Sequence, residues 1–187
     1  PLNDAGLFLI RTLFGLFIIA LLLRFLLQIA KADFYHPASQ FLFKVTQPIV
    51  APLRKHIPSI GAIDSSVVLL LVLLQTVELA LIGLISGGLP APQTVLLLAL
   101  SELLTLTLWI YILTLFALAI LSWIQPGSYN PGTLLLHQLS GPLLRPIRRL
   151  IPPFQGFDFS VLAALILLQL ARILLVEPLR QLAFAVG

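Results

Sequence analysis

The residues able to do acid–base or ligand chemistry are few, and most of them come in pairs. Seven carboxylates, three histidines and no cysteine are spread over 187 residues. Two aspartates head the same short motif, Asp64-Ser65-Ser66 and Asp158-Phe159-Ser160. Arg54 and Arg148 precede them by ten residues each, followed at once by Lys55 and Arg149, and Arg145 adds a cation to the later copy. Two aspartates could serve as general acid and base, but only if held together around a water or substrate. Aspartate and serine ahead of an apolar run are also the ordinary residues of a helix N-cap, where they take up free backbone N–H groups. Capping is the preferred role for Asp64, Ser66, Asp158 and Ser160, with an Arg–Asp clamp inside each segment. The lack of cysteine removes disulfides, thiolate nucleophiles and cysteine-based metal or iron–sulfur sites. His36, His56 and His137 are scattered. No Gly-rich phosphate loop or nucleophile elbow is present. The expectation is a chain with no enzymatic site, metal or cofactor.

A second group of polar residues lies inside apolar runs: Arg11, Gln75, Glu78, Glu102, Gln169 and Arg172. A lone charge in the middle of a bilayer costs at least about 2.5–3.5 kcal/mol, so each should have a partner or a purpose. Glu78 and Arg172 stand 94 residues apart, the same offset that separates Asp64 from Asp158 and Gln75 from Gln169. They are expected to pair, helped by the two glutamines, and Arg11 is expected to approach Glu102. Two roles stay open for these groups, a structural ion pair or a polar pathway for ions or protons.

The 94-residue offset runs without a gap from Tyr35/Tyr129 through Pro37/Pro131, Pro48/Pro142, Pro52/Pro146 and Pro58/Pro152 to Gln75/Gln169. The chain is therefore one unit used twice in tandem, with residues 1–90 as the first repeat and 91–187 as the second. Its composition is 59% hydrophobic and 10% charged, with a mean hydropathy of +1.09. A soluble domain could not cover that much apolar surface. The fold expected is an all-α membrane protein with four spans, at about 7–30, 65–85, 103–124 and 159–176. Arg24 is placed to snorkel from one end of the first span. That span is longer than a signal-peptide core, so it is expected to stay in the mature chain.

Between the spans of each repeat lies a proline-rich basic connector. Ala38–Gln47 and Leu134–Ser140 are mildly amphipathic and read as short helices lying in the interface, started by Pro37 and Pro131 with His36 and Asn130 as caps. The prolines after them are expected to break the backbone into one-turn pieces. Glu177-Pro178 is expected to end the last span. Val95–Ile124 is too long for an upright span, so Ser101-Glu102 is placed near the interface, with strong tilt as the alternative.

The two connectors hold seven of the eleven Lys and Arg residues, and the loop between the second and third spans holds none. The positive-inside rule puts both connectors in the cytoplasm and both termini in the periplasm. Two spans per repeat make the repeats parallel, related by a pseudo-two-fold along the membrane normal. With a pI near 10.0, the cations of Arg54, Lys55, Arg145, Arg148 and Arg149 beside hydrophobic spans fit anionic phospholipid headgroups better than direct contact with nucleic acid. A membrane-protein partner or a homo-oligomer is the other association expected.

The paired motif resembles the YggT (YlmG-like) family of bacterial membrane proteins. The residues that carry the resemblance are Ser122-Trp-Ile124, Tyr129-Asn-Pro131, Pro142-Leu-Leu-Arg-Pro-Ile-Arg-Arg-Leu-Ile-Pro-Pro153 and Gly156-Phe-Asp-Phe-Ser160 with Gln169. The first copy departs from it at Ala51, where the second has Arg145, and at Gly61, one place earlier than Gly156. The resemblance implies a bacterial inner-membrane location and no known enzyme activity. It also brings associations with osmotic or ion homeostasis, cell-division gene clusters, plastid nucleoid distribution and cytochrome b6 maturation. Roles so different favour a scaffold or assembly factor, with an ion or small-osmolyte channel or transporter as the alternative.

Overall fold

Long apolar runs bounded by helix-starting residues set the architecture. The computed structural model describes residues 1–61, 63–124, 130–152 and 158–186. Among them the chain forms α1 (Leu2–Ile29), α2 (Pro37–Arg54), α3 (Ser65–Ile85), α4 (Pro92–Ile124), α5 (Pro131–Leu150), α6 (Phe159–Ala171), a π-helical turn (Arg172–Val176) and α7 (Glu177–Ala185), with no strand. Four stretches are long and apolar enough to cross a membrane: α1, α3, α4 and the continuous α6–α7 rod. Their outer faces carry Leu13, Leu16, Leu73, Leu113, Phe116 and Ile166, all exposed. Helices that are apolar all round, yet expose such rows, are solvated by lipid rather than by water.

The amphipathic helices differ in kind. In α2, Leu42, Thr46 and Val50 recur every four residues and are buried, while Lys44, Pro48 and Pro52 face outward. In α5, Ser140, Leu144 and Ile147 are buried, and Pro142 and Pro146 face outward. Each helix therefore runs straight through the two prolines expected to break it. A proline removes one backbone N–H and crowds the carbonyl four residues earlier. Spaced four apart on the outward face, both defects fall where the freed carbonyls remain solvated. His36 caps α2 through Ala38 N–H at 3.2 Å, and Asn130 forms a capping box with Thr133.

Two other helices outrun their expected limits. The third span is one unbroken helix of 33 residues, about 50 Å long, so it must tilt or project from a core of roughly 30 Å. Ser101 is buried within it and donates back to the Leu98 carbonyl at 2.8 Å. The last span continues past Pro178 to Ala185. The π-helical turn makes this possible: Glu177 N–H reaches Arg172 O, one residue further back than in an α-helix. That wider turn relieves the ring's clash with the preceding carbonyl.

The repeats share a direction but not a two-fold. A two-fold would match each contact of α3 with α4 by one of α6 with α1. Among the described residues α3 packs along α4, whereas α6 and α1 do not touch. The helices form a row in which α4 separates α3 from α6. Both connectors nevertheless sit at the same end: Asp33 N–H in the first donates to Gln138 Oε1 of α5 at 3.0 Å. At the other end, Gln93 Nε2 at the start of α4 donates to Val186 O at 3.1 Å.

Candidate functional site

The connector end is held together by one ion pair per repeat. In the first, Arg54 at the end of α2 reaches Asp64, just ahead of α3. Asp64 occupies the N-cap position, yet its carboxylate makes no capping hydrogen bond and turns to Arg54 instead. It is 0% exposed, and its Oδ1 lacks a hydrogen-bond partner among the described residues. Ser66 Oγ donates to Ile57 O at 3.0 Å, tying α3 back to the end of α2. In the second repeat Arg148 Nε and Nη2 donate to Asp158 Oδ2 at 3.1 and 2.7 Å. There Asp158 also caps α6 through Ser160 N–H at 3.0 Å and accepts the Ser160 hydroxyl. Asp158 stays 31% exposed. Asp64 and Asp158 serve different connectors, each on its own arginine.

Burial pushes the Asp158 carboxyl up, but the hydrogen bonds from Ser160 and Arg148 and the charge of Arg148 outweigh it and hold the group below the ordinary carboxylate range. A carboxyl depressed in the folded state stabilises it fully above its unfolded value, about 3.9, and loses that contribution as pH falls through the folded value. The thermostability gap between the protein and Asp158→Asn is therefore expected to be flat from neutral pH to about 5 and to close below about 4. A gap that persists unchanged into strong acid would contradict it.

Around these pairs the surface is basic. Lys55, Arg145 and Arg149 are exposed, and no ion pair engages them among the described residues. The Arg145 guanidinium lies over Gly141, 3.3 Å from where a side chain would begin. Between the connectors, a cavity of 370 Å³ is bounded by Asp33, Tyr35, His36, Asn130 and Leu134.

Arg24 does not snorkel. It is 7% exposed and points beneath α2, donating to Thr46 Oγ1 at 2.7 Å and Gln47 Oε1 at 2.9 Å. Its guanidinium carbon lies 4.5 Å from the centre of the Phe43 ring. Beside it opens a cavity of 370 Å³ lined by Arg24, Gln28, Phe34, Ser39, Phe43 and Arg54. To reach α2 the chain leaves α1 by a left-handed residue, Lys31 at φ 53°. Lys31 N–H bonds Gln28 O and Ala32 N–H bonds Leu27 O, a Schellman stop made without glycine. A signal for this site was present in the sequence: the repeat-equivalent of Arg24 is Leu118, so the arginine breaks the internal symmetry.

The intramembrane residues are not arranged as expected. Glu78 accepts from Gln75 Nε2 at 2.9 Å, both buried on α3, and does not pair with Arg172. The intervening α4 explains why. Arg172 starts the π-helical turn, with its Nε buried and lacking a hydrogen-bond partner among the described residues. Gln169 faces outward from α6. Glu102 is held by Arg180 at 2.9 Å rather than by Arg11, which is exposed. Arg180 lies beyond Pro178, in the segment expected to be tail. Among the described residues no three His, Asp or Glu gather into a possible metal site.

A family model described as CCB3/YggT matches the chain twice, over residues 4–85 and 97–179. An uncharacterized protein of Pseudomonas aeruginosa is 39% identical over 182 residues, covering 95% of this chain and 91% of that protein. A Vibrio alginolyticus protein described as uncharacterized, in the proC 3' region, is 42% identical over 90% of this chain and 91% of its own. Uncharacterized protein YggT of Escherichia coli K12 is 40% identical over 92% of this chain and 90% of its own. No solved structure matches significantly.

Proposed function

Because the chain belongs to the CCB3/YggT family, we propose that it is a non-enzymatic scaffold or assembly factor of the bacterial inner membrane, whose basic face binds anionic phospholipid or a partner protein. The observation that carries this reading is the meeting of both proline-arginine connectors at one end of the bundle. There Arg54, Lys55, Arg145, Arg148 and Arg149 are displayed on stiff helical elbows, and two aspartates neutralise only two of them. The turn between α3 and α4, residues 86–91, carries no charge. By the positive-inside rule the basic end is cytoplasmic and the termini are periplasmic. Clustered cations at a span boundary attract anionic lipid by about 1 kcal/mol each.

A second reading, an ion or small-osmolyte channel or transporter with a part in osmotic or ion homeostasis, draws on Glu78, buried in a span with a neutral glutamine as its hydrogen-bond partner. Purified protein in liposomes separates the two. The scaffold reading expects no flux of common ions above empty vesicles and salt-sensitive binding to vesicles containing anionic lipid. Flux that disappears on Glu78→Ala would replace it with the channel.

The row of helices supports a homo-oligomer. In the first repeat α3 is covered by α4, and Leu103 and Ile110 of α4 pack on the core of that repeat. The repeat-equivalents of those residues, Leu9 and Leu16, are exposed on α1. Gln169 on α6, the counterpart of buried Gln75, is exposed too. A second copy can therefore lay its α1 on α6 as α4 lies on α3, a head-to-tail contact that closes into a ring or extends. A glutamine facing lipid favours such an association by about 0.6–2 kcal/mol. Gln169→Leu is accordingly expected to weaken association roughly 3- to 30-fold in nanodiscs or by native mass spectrometry. A wild-type chain that stays monomeric at every protein-to-lipid ratio would rule this out.

A further inference from the structure

The second repeat covers part of the first, and the matching part of the second is bare. Each repeat has a first span, a connector helix and a second span. Residues 94 apart should therefore be equally buried unless the other repeat covers one of them. On the first spans they differ widely. Leu22 and Leu26 of α1 are buried, Leu26 at 5% exposure, whereas their equivalents on α4, Phe116 and Ile120, are exposed, Ile120 at 49%. Both pairs lie in roughly the last two turns before the connector end.

The connector helix α5 takes part in that covering. It touches α1, and Leu135 and Leu139, four residues apart, pack into the core cluster of the first repeat that holds Leu22 and Leu26. Leu139 is 4% exposed. The equivalent residues of α2 are Phe41 and Val45, and both are exposed, Val45 at 42%. Among the described residues α2 touches α1 and α3 but not α4. The chain thus displays, uncovered, both halves of a contact it makes once internally: an apolar stripe on α2 and an apolar patch on α4. The polar tie beside the internal contact is not carried over, because Lys44 stands where Gln138 does.

We propose that Phe41 and Val45 on α2 of one copy seat on Phe116 and Ile120 of α4 in the next, as Leu135 and Leu139 of α5 seat on the first repeat within a chain. The proposal rests on the head-to-tail association above and supplies its second contact. The operation that carries the first repeat onto the second, applied once more, brings α1 of the next copy to α6. At the connector end the same operation brings its α2 to α4. Two separate patches thus follow from one operation, as a heterologous interface requires. Side chains four apart on each helix form the ridges that interdigitate in helix packing. Because the repeats share a direction, every added copy presents its connectors at the same end. The basic elbows of successive copies then form one strip along a single face of the membrane.

The chain has no cysteine, so introduced ones report alone. Full-length Val45→Cys and Ile120→Cys chains are reconstituted in liposomes, singly and as an equal mixture, and treated with a short bismaleimide. The mixture is expected to give cross-linked dimers and each variant alone none, because a head-to-tail contact joins unlike residues. Phe41→Asp, added to the Val45→Cys chain, alters a side chain exposed in the single copy. It should leave the melting temperature of the dilute chain in detergent unchanged and cut the dimer yield about tenfold or more, through the cost of burying an unpaired carboxylate. Dimers from either variant alone in the yield of the mixture would overturn the contact in favour of a symmetric or random encounter. An undiminished yield from folded Phe41→Asp would remove the α2 stripe from the interface. Absence of dimers from the mixture would also overturn the proposal, and native mass spectrometry of the same samples separates two cases. Oligomers that persist would leave the α1–α6 association standing, with lipid on the α2 stripe. Monomers alone would remove both.

Discussion

Arg54→Ala is expected to destabilise the protein by about 3–5 kcal/mol, because it takes the partner from a carboxylate with no exposed surface of its own. Asp64 is 0% exposed and ion-pairs with Arg54. Arg148→Ala, at the equivalent place, should cost roughly 1 kcal/mol or less, since Asp158 is 31% exposed and can be solvated when its partner leaves. Two residues matched by the repeat are thus expected to differ several-fold in consequence. Unfolding of each variant in mixed micelles, with Asp64→Asn as the companion that removes the stranded charge, measures the difference. Adding Asp64→Asn to Arg54→Ala should recover part of the loss, because a neutral amide is cheaper to bury than an unpaired carboxylate. Equal losses for Arg54→Ala and Arg148→Ala would show that burial of Asp64 does not set the strength of the first pair.

Arg148→Ala combined with Arg149→Ala is expected to weaken binding to anionic vesicles about 30-fold at low salt, from roughly 1 kcal/mol per basic residue near the surface. Both side chains are exposed at the connector end, and Arg149 has no ion-pair partner among the described residues. The effect should shrink as salt shortens the Debye length from about 10 Å at 0.1 M to about 3 Å at 1 M. Vesicle flotation across a salt series gives the number. A loss that is insensitive to salt would point to misfolding of the elbow rather than to lost charge, and no loss at all would remove the basic face from the function.

Much of the fold was legible because it rests on one-dimensional signals. The 94-residue offset gave the tandem repeat, apolar run length gave the four spans, and the ten-residue Arg-to-Asp spacing pointed at Arg54–Asp64 and Arg148–Asp158. What was not legible depended on which face a residue occupies. Pro48, Pro52, Pro142 and Pro146 break a helix in isolation, and only their common outward face lets α2 and α5 pass through them. Pro178 looked like a stop until the π-helical turn ahead of it supplied the room, which brought Arg180 to Glu102. The pairing of Glu78 with Arg172 assumed a two-fold, and periodicity carries no information on whether two hairpins meet by rotation or stand in a row. Arg24 looked like a flanking charge because its depth was visible and its direction was not.

The most direct test is the sidedness of the two elbows. The chain has no cysteine, so single cysteines at Lys55, Arg149 and Gly88 can be probed in an otherwise unreactive protein. With a membrane-impermeant maleimide applied to intact spheroplasts and then to inverted vesicles, Lys55→Cys and Arg149→Cys are expected to react together, in the inverted vesicles, and Gly88→Cys in the spheroplasts. Reaction of Lys55→Cys and Arg149→Cys from opposite sides would contradict the parallel arrangement and dissolve the shared basic face.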